Sequence, residues 1–191
     1  DAFARPGLQE ALRLRGGDWV IARTRFAATY DPRGDPDVAA PGTRRVRIER
    51  YPAEAAASDH PVPTWTWEHV EPIDALPVTL LVRLVHDPAT GRVHALDAGS
   101  GTVITLDEAG APVERRTLPS RPGFPRWVDL VLLPDGALAA LHGGARELHR
   151  LDDLDAPPIA LDVAATPLRL GIDANRNLHV LCADRTVAVL G

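Results

Sequence analysis

Three stretches of this chain carry the same short alternation behind the same kind of turn, and this repeat limits the fold more than any other feature. They are Arg92-Val93-His94-Ala95-Leu96-Asp97, Ala137-Leu138-Ala139-Ala140-Leu141-His142 and Asn177-Leu178-His179-Val180-Leu181-Cys182. Val93, Leu138 and Leu178 occupy the same place, 45 and then 40 residues apart. Apolar residues alternate in each stretch, as they do in a half-buried strand.

A turn precedes each stretch: Asp87-Pro88-Ala89-Thr90-Gly91, Pro134-Asp135-Gly136 and Asp173-Ala174-Asn175-Arg176-Asn177. Proline fixes φ, glycine permits positive φ, and Asp or Asn bonds the local backbone. Before each turn the pattern predicts another strand, over Val78–Val85, Trp127–Leu133 and Leu168–Ile172. The first two are nearly continuous apolar runs, which suits strands covered on both faces. Third strands are predicted at Thr102–Leu106, Glu147–Leu151 and Thr186–Leu190, and fourth strands at Val113–Leu118 and Ile159–Val163. Short strands in repeats of this length fit a β-propeller blade. A β-sandwich also has short, evenly spaced strands, but the matched turns favour the propeller.

The segment from His86-Asp87-Pro88 to Asp97, followed by Gly101-Thr102-Val103-Ile104-Thr105-Leu106-Asp107, resembles an NHL-type blade. That pattern is strand, Asp-Pro-x-x-Gly turn, strand ending in Asp, short Gly/Ser link, strand. The other two repeats depart from it at His142 and Cys182, where the family usually has Asp. The resemblance implies a propeller, but fold alone does not choose a function. NHL-like proteins include protein-binding and RNA-binding scaffolds, some in large bacterial machines. Related six-bladed propellers include metal-dependent lactonases.

Residues 1–76 show no clear repeat and read as an N-terminal β-rich module with a connector. Leu8–Leu14 is expected as a short helix ended by Gly16-Gly17. Trp19–Phe26 and Arg44–Tyr51 alternate and form a candidate hairpin across a loop at Asp31–Gly42, with a connector at Tyr51–Pro63 and a strand at Thr64–His69. Residues 77–191 hold the propeller-type repeats, over 77–120, 126–165 and, partially, 167–191. The expected fold class is therefore all-β: β-propeller-type four-stranded repeats, incomplete or about four blades in number, with an N-terminal β module. The edge at Thr186–Leu190 is expected to pair with Trp19–Phe26, Arg44–Tyr51 or a strand of another chain.

The net charge is −5, with 10 Arg against 12 acids in residues 1–76 and 11 against 14 in residues 77–191. Nucleic acid is not expected as a partner. All basic residues are Arg, and Met is absent, a bias that fits a GC-rich bacterial coding sequence. The start at Asp1 fits a processed chain or a piece of a longer one. That leaves a secreted or periplasmic chain and a cytoplasmic assembly subunit both open. No apolar run reaches the roughly 18 residues of a membrane span. Cys182 is the single cysteine and has no internal partner for a disulfide.

Two groups of residues stand out as binding candidates. Paired strands would put Arg23, Arg25, Arg45 and Arg47 on one face, able to grip phosphate or carboxylate, although a solvated sheet face is the plainer explanation. Arg83, Asp129 and Arg169 lie 10, 9 and 9 residues before the aligned Val93, Leu138 and Leu178, on inner strands where they would approach the channel of a propeller and hold a polar ligand or pair with one another. His60, His69, His86, His94, His142, His149 and His179 lack zinc-type spacing. Ser100 lacks the strand–turn–helix setting of a nucleophile elbow, Trp127 reads as core, and Arg33-Gly34-Asp35 as turn residues. No catalytic residue, metal or cofactor is expected. The reading that follows is a non-enzymatic scaffold binding other protein subunits. The alternative is a metal-dependent lactonase-like hydrolase, for which Asp129 and Asp173 would have to supply axial oxygen ligands.

Overall fold

The computed structural model describes residues 2–29, 42–73, 82–124 and 126–190, so Arg33-Gly34-Asp35 lies outside the described residues. Blade 1 is a four-stranded antiparallel meander of β1 (Ala2–Arg13), β2 (Trp19–Thr29), β3 (Gly42–Tyr51) and β4 (Trp65–Ile73), paired in that order. The candidate hairpin forms, with Arg23 opposite Arg47 and Arg25 opposite Arg45. Val20, Ala22 and Thr24 are buried on one side of β2, as its alternation implies. A short 3-10 turn, Ala53–Ala57, interrupts the connector.

The helix expected at Leu8–Leu14 is a correction, because residues 8–13 belong to β1 and Leu14 opens the turn after it. Its apolar residues suit a helical stripe, yet Glu10, Leu12 and Leu14 also keep a period of two. Pairing with β2 gives that second pattern a buried face, and tertiary context overrides the local preference. Gly16-Gly17 does not end a helix but turns the hairpin. Leu14 N–H bonds Asp18 C=O at 2.8 Å, Gly17 N–H bonds Leu14 C=O at 2.9 Å, and Gly17 has a φ of 97°.

Blade 2 comprises β5 (Val82–Asp87), β6 (Arg92–Asp97), β7 (Thr102–Leu106) and β8 (Pro112–Thr117). Blade 3 comprises β9 (Trp127–Leu132), β10 (Leu138–His142), β11 (Glu147–Arg150) and β12 (Ile159–Ala160). Blade 4 has three strands, β13 (Pro167–Ile172), β14 (Leu178–Cys182) and β15 (Val187–Leu190). The inner strands are neighbours, β5 lying against β1 and β9, and β9 against β13. The protein is all-β, a run of propeller blades around one axis.

Three apolar layers glue successive blades. Val20, Ile48, Leu84, Val93 and Leu106 lie between blades 1 and 2, with Trp65 and Trp67 packed on them. Leu96, Val103, Trp127, Leu130 and Ala140 lie between blades 2 and 3. Val131, Leu141, Leu148, Val180 and Cys182 lie between blades 3 and 4. Burying one such Leu or Val contributes about 1.5–3 kcal/mol. A buried ion cluster reinforces the first layer: Arg44 of β3 reaches Asp97 of β6 and Glu71 of β4. Burial pulls the Arg44 guanidinium down, but those two carboxylates hold it above its ordinary value.

The closure expected at Thr186–Leu190 does not form. Among the described residues β15 pairs only with β14, while β1 to β4 form a sheet of their own. The N-terminal strands cannot serve both roles, because β2 and β3 are central in blade 1 and their hydrogen bonds are used on both sides. Among the described residues nothing covers the outer face of blade 4: Leu181 is 40% exposed, and Val187 and Val189 are each 56% exposed.

The turns repeat in geometry more faithfully than in sequence. At the link between the second and third strands, blade 2 has Gly101 at φ 65°, but blades 3 and 4 have Arg146 at 56° and Arg185 at 69°. A side chain in that region costs roughly 1–2 kcal/mol, which glycine avoids. Arg185→Gly is therefore expected to raise stability by about 0.5–1 kcal/mol. Chemical denaturation checks it, with an unchanged or lowered midpoint counting against the strain.

Candidate functional site

The inner strands run side by side, so equivalent positions meet at the axis. Arg83 pairs in register with Leu96, Asp129 with Leu141 and Arg169 with Leu181, which are equivalent places in three blades. Arg83 Nε lies 3.6 Å from Asp129 Oδ1, and Arg169 Nη1 lies 3.9 Å from the same oxygen. The fourth member is Glu10 of β1. Its Oε2 accepts from Arg83 Nη1 at 2.7 Å, and its Oε1 from Arg169 Nη1 at 3.5 Å. Four inner strands thus contribute four charges that alternate in sign. Glu10 was missed in the sequence because a helix was expected there, which hid its inner-strand position.

The four members differ in commitment. Asp129 and Arg83 are nearly enclosed, with side chains 6% and 12% exposed, whereas Arg169 is 44% exposed. Asp129 Oδ2 also accepts the backbone N–H of Leu170 at 2.7 Å, tying β9 to β13. Arg83 Nε donates to the carbonyl of Val128 at 3.2 Å. Burial raises the Asp129 carboxyl above its ordinary value, against the opposing pull of the Leu170 and Leu130 N–H groups and the two arginines. Asp173 is not an axial acid: it follows β13 and binds Asn177 and, at 3.0 Å, His179. These contacts hold its carboxyl down to about 2.

Above the ring, where the inner strands run into their turns, lies an open depression of about 700 Å³. Leu12, Leu84, Val131 and Ile172 lie on its apolar floor, and Arg13 and Arg15 on its rim. Two positions on from each ring charge stand Leu12, Val85, Val131 and Gly171. At Gly171 an added Cβ would meet nothing within 4 Å, so blade 4 leaves its side of the axis open.

The arginine face is less available than its composition suggests. Glu49, only 3% exposed, takes Arg47 at 2.9 Å and Arg23 at 3.3 Å. Arg45 lies 3.7 Å from Glu68. Arg25 sits on β2 opposite Arg45. Glu49 therefore divides one negative charge between two guanidinium groups.

Three buried histidines do structural work in the blades. His142 takes the place of the Asp that ends β6 in blade 2: its Nδ1 accepts the Ala145 N–H at 3.0 Å, as Asp97 accepts the Gly99 N–H at 3.1 Å. Trp127 packs edge-on against both His142 and His149, with ring centroids 5.0 Å away in each case. His94 meets Thr105 Oγ1 at 3.0 Å. Ser100 donates to Asp97 at 2.7 Å. Among the described residues, no three His, Cys, Asp or Glu side chains gather as a metal site would require.

Two outcomes follow. Removing one partner of a buried pair costs about 3–5 kcal/mol, an exposed pair at most about 1. Urea denaturation should show Arg83→Met losing about 3 kcal/mol and Arg169→Met under about 1 kcal/mol; equal losses would contradict the graded ring. Burial, the largest cause for both, also depresses the His94 and His142 imidazoles. The unfolded chain then binds more protons than the folded one, so their contribution is present above about pH 6.5 and falls away as the pH drops below it. Tm should fall between about pH 6.5 and pH 5, and the His94→Gln/His142→Gln double variant should flatten that slope. A slope unchanged in the double variant would rule out these two groups.

No family model matches the sequence, and no curated protein matches it. The NHL likeness thus stays a likeness of one blade, while solved structures match in fold. A protein of unknown function from Bacteroides caccae aligns with a TM-score of 0.54 at 11% identity, over 79% of this chain and 53% of that one. Chaetomium thermophilum Raptor aligns with a TM-score of 0.55 at 10% identity, over 98% of this chain and 20% of that one. Virginiamycin B lyase from Staphylococcus aureus, with selenomethionine substituted, aligns with a TM-score of 0.50 at 10% identity, over 100% of this chain and 74% of that one. This chain spans about half the length of the first of these. At such identities the likeness concerns the fold alone, and the fold is of the β-propeller kind.

Proposed function

We propose that this protein is an interaction scaffold of the β-propeller type, a protein-binding subunit of a larger assembly. The observation that carries the reading is the outer edge of β15, which no strand pairs among the described residues. Cys182 N–H bonds Thr186 C=O at 2.9 Å, and the pairs Val180–Ala188 and Leu178–Leu190 continue the same register. In an antiparallel ladder every second residue points its N–H and C=O toward the partner strand. Thr186, Ala188 and Leu190 therefore face β14, while Val187 and Val189 present theirs outward. The stretch Thr186-Val187-Ala188-Val189-Leu190 has no charge and no proline, the usual guards of an open edge. A partner strand would add main-chain hydrogen bonds there, with its side chains over Leu181, Val187 and Val189.

The lactonase-like alternative has less support. Asp129, the carboxylate it needs at the axis, is engaged by Leu170 N–H and faces Arg83 and Arg169. Among the described residues no helix is long and apolar enough to cross a membrane.

Val189→Pro tests the scaffold reading. It removes an outward N–H and spares the β14 ladder, so the chain should keep its Tm. With a photo-crosslinking residue at position 187, the parent chain should capture one partner subunit from cells of its source, and Val189→Pro should lose it. Equal capture by both chains, or none by the parent, would count against the reading.

A further inference from the structure

The outer face of blade 1, far in sequence from the β15 edge, holds a second cleft. Its volume is about 340 Å³, and Trp19, Ile21, Arg23, Tyr51, Ala55, Ser58 and Pro61 line it. Trp19 and Tyr51 are directly opposite one another on β2 and β3. Cross-strand aromatic pairs of this kind make a rigid apolar platform. The guanidinium of Arg13 sits 5.7 Å from the centre of the Trp19 ring.

The roof is anchored to the floor. Asp18, in the turn between β1 and β2, accepts the N–H of Ala53 at 3.2 Å through one oxygen and Arg50 Nε at 2.9 Å through the other. This pins the 3-10 turn Ala53–Ala57 over the sheet. Beyond it, Ser58 Oγ accepts the N–H of His60 at 3.2 Å, which leaves the hydroxyl hydrogen to donate.

One charged side chain lines the cleft, Arg23, and it is 34% exposed. Its neutralisation is incomplete, because Glu49 is shared with Arg47. Arg23 Nε and Glu49 Oε2 are both buried without a hydrogen-bond partner. Tyr51 stays protonated, since burial first and Glu49 second raise its phenol above the ordinary value.

We infer that this cleft binds a compact aromatic monocarboxylate, its flat ring between Trp19 and Pro61 and its carboxylate on Arg23. The size and lining suit it: small-molecule sites are mostly apolar with a few placed polar groups, and start near 300 Å³. Charge decides the rest. A neutral ring would leave the surplus positive charge of the two arginines unanswered, and a cation would add to it.

Indole-3-acetate, indole-3-acetamide and cyclohexylacetate test the inference by calorimetric titration into the full chain. Indole-3-acetate should bind about tenfold more tightly than its amide, the gain of one charge-assisted hydrogen bond, and more tightly than cyclohexylacetate. Arg23→Gln should erase the preference for the acid, and Trp19→Leu should weaken both indoles. In the parent chain the Trp19 indole N–H resonance should shift on titration, a readout that needs no variant to fold. Val189→Pro should leave all of this unchanged, which separates this site from the scaffold edge. Acid and amide binding equally, no binding at millimolar concentration, or shifts confined to other tryptophans would overturn the inference.

Discussion

Each inner strand brings one charged side chain to the axis, and the four alternate in sign. Those charges tie neighbouring inner strands to one another. A short antiparallel sheet with two apolar faces is stable only when neighbours cover both. Glu10, Arg83, Asp129 and Arg169 link the inner strands of adjoining blades at one level of the axis, beside the apolar layers between the blades. Alternation also makes the charge tolerable: each buried carboxylate faces guanidinium groups, and Asp129 gains a backbone N–H as well. Reversing the charge of Arg83 or Asp129, the two enclosed members, would bury uncompensated charge.

The same logic explains why the two ends of the blade array differ from its middle. Blades 2 and 3 have apolar layers on both sides. Blade 1 meets the need for cover partly by itself, folding its connector back over Trp19 and Tyr51 and burying Glu49 beneath arginines. Among the described residues blade 4 has no such device, and its outer valines and leucine stay open. One end thus carries a cleft beneath its own connector and the other an exposed apolar strand.

Much of this was legible in the sequence, and the failures have physical causes. The turn residues and alternation of blades 2 to 4 located the strands because each turn places an Asp or a positive-φ residue where the chain reverses. Arg83, Asp129 and Arg169 were found together by counting from aligned strands, since register carries equivalent residues to equivalent depths. Glu10 was lost because Leu8–Leu14 satisfies a helical and a strand period at once, and only pairing with β2 separates them. Arg44 and Glu49 were not readable as buried. Their burial depends on partners elsewhere in the chain, Asp97 for one and Arg23 for the other. The expected closure at β15 failed because a general rule about edges does not name the strand that covers one.

Among the described residues β15 presents an unpaired, alternating edge. Amide hydrogen exchange resolved to single residues tests it most directly. The account predicts that Ala188 and Leu190 exchange slowly, bonded to β14, while Val187 and Val189 exchange at close to the rate of an unprotected amide. If Val187 and Val189 were protected as strongly as Ala188 in the monomeric chain, the edge would already be covered, and the account of blade 4 as an open docking end would be contradicted.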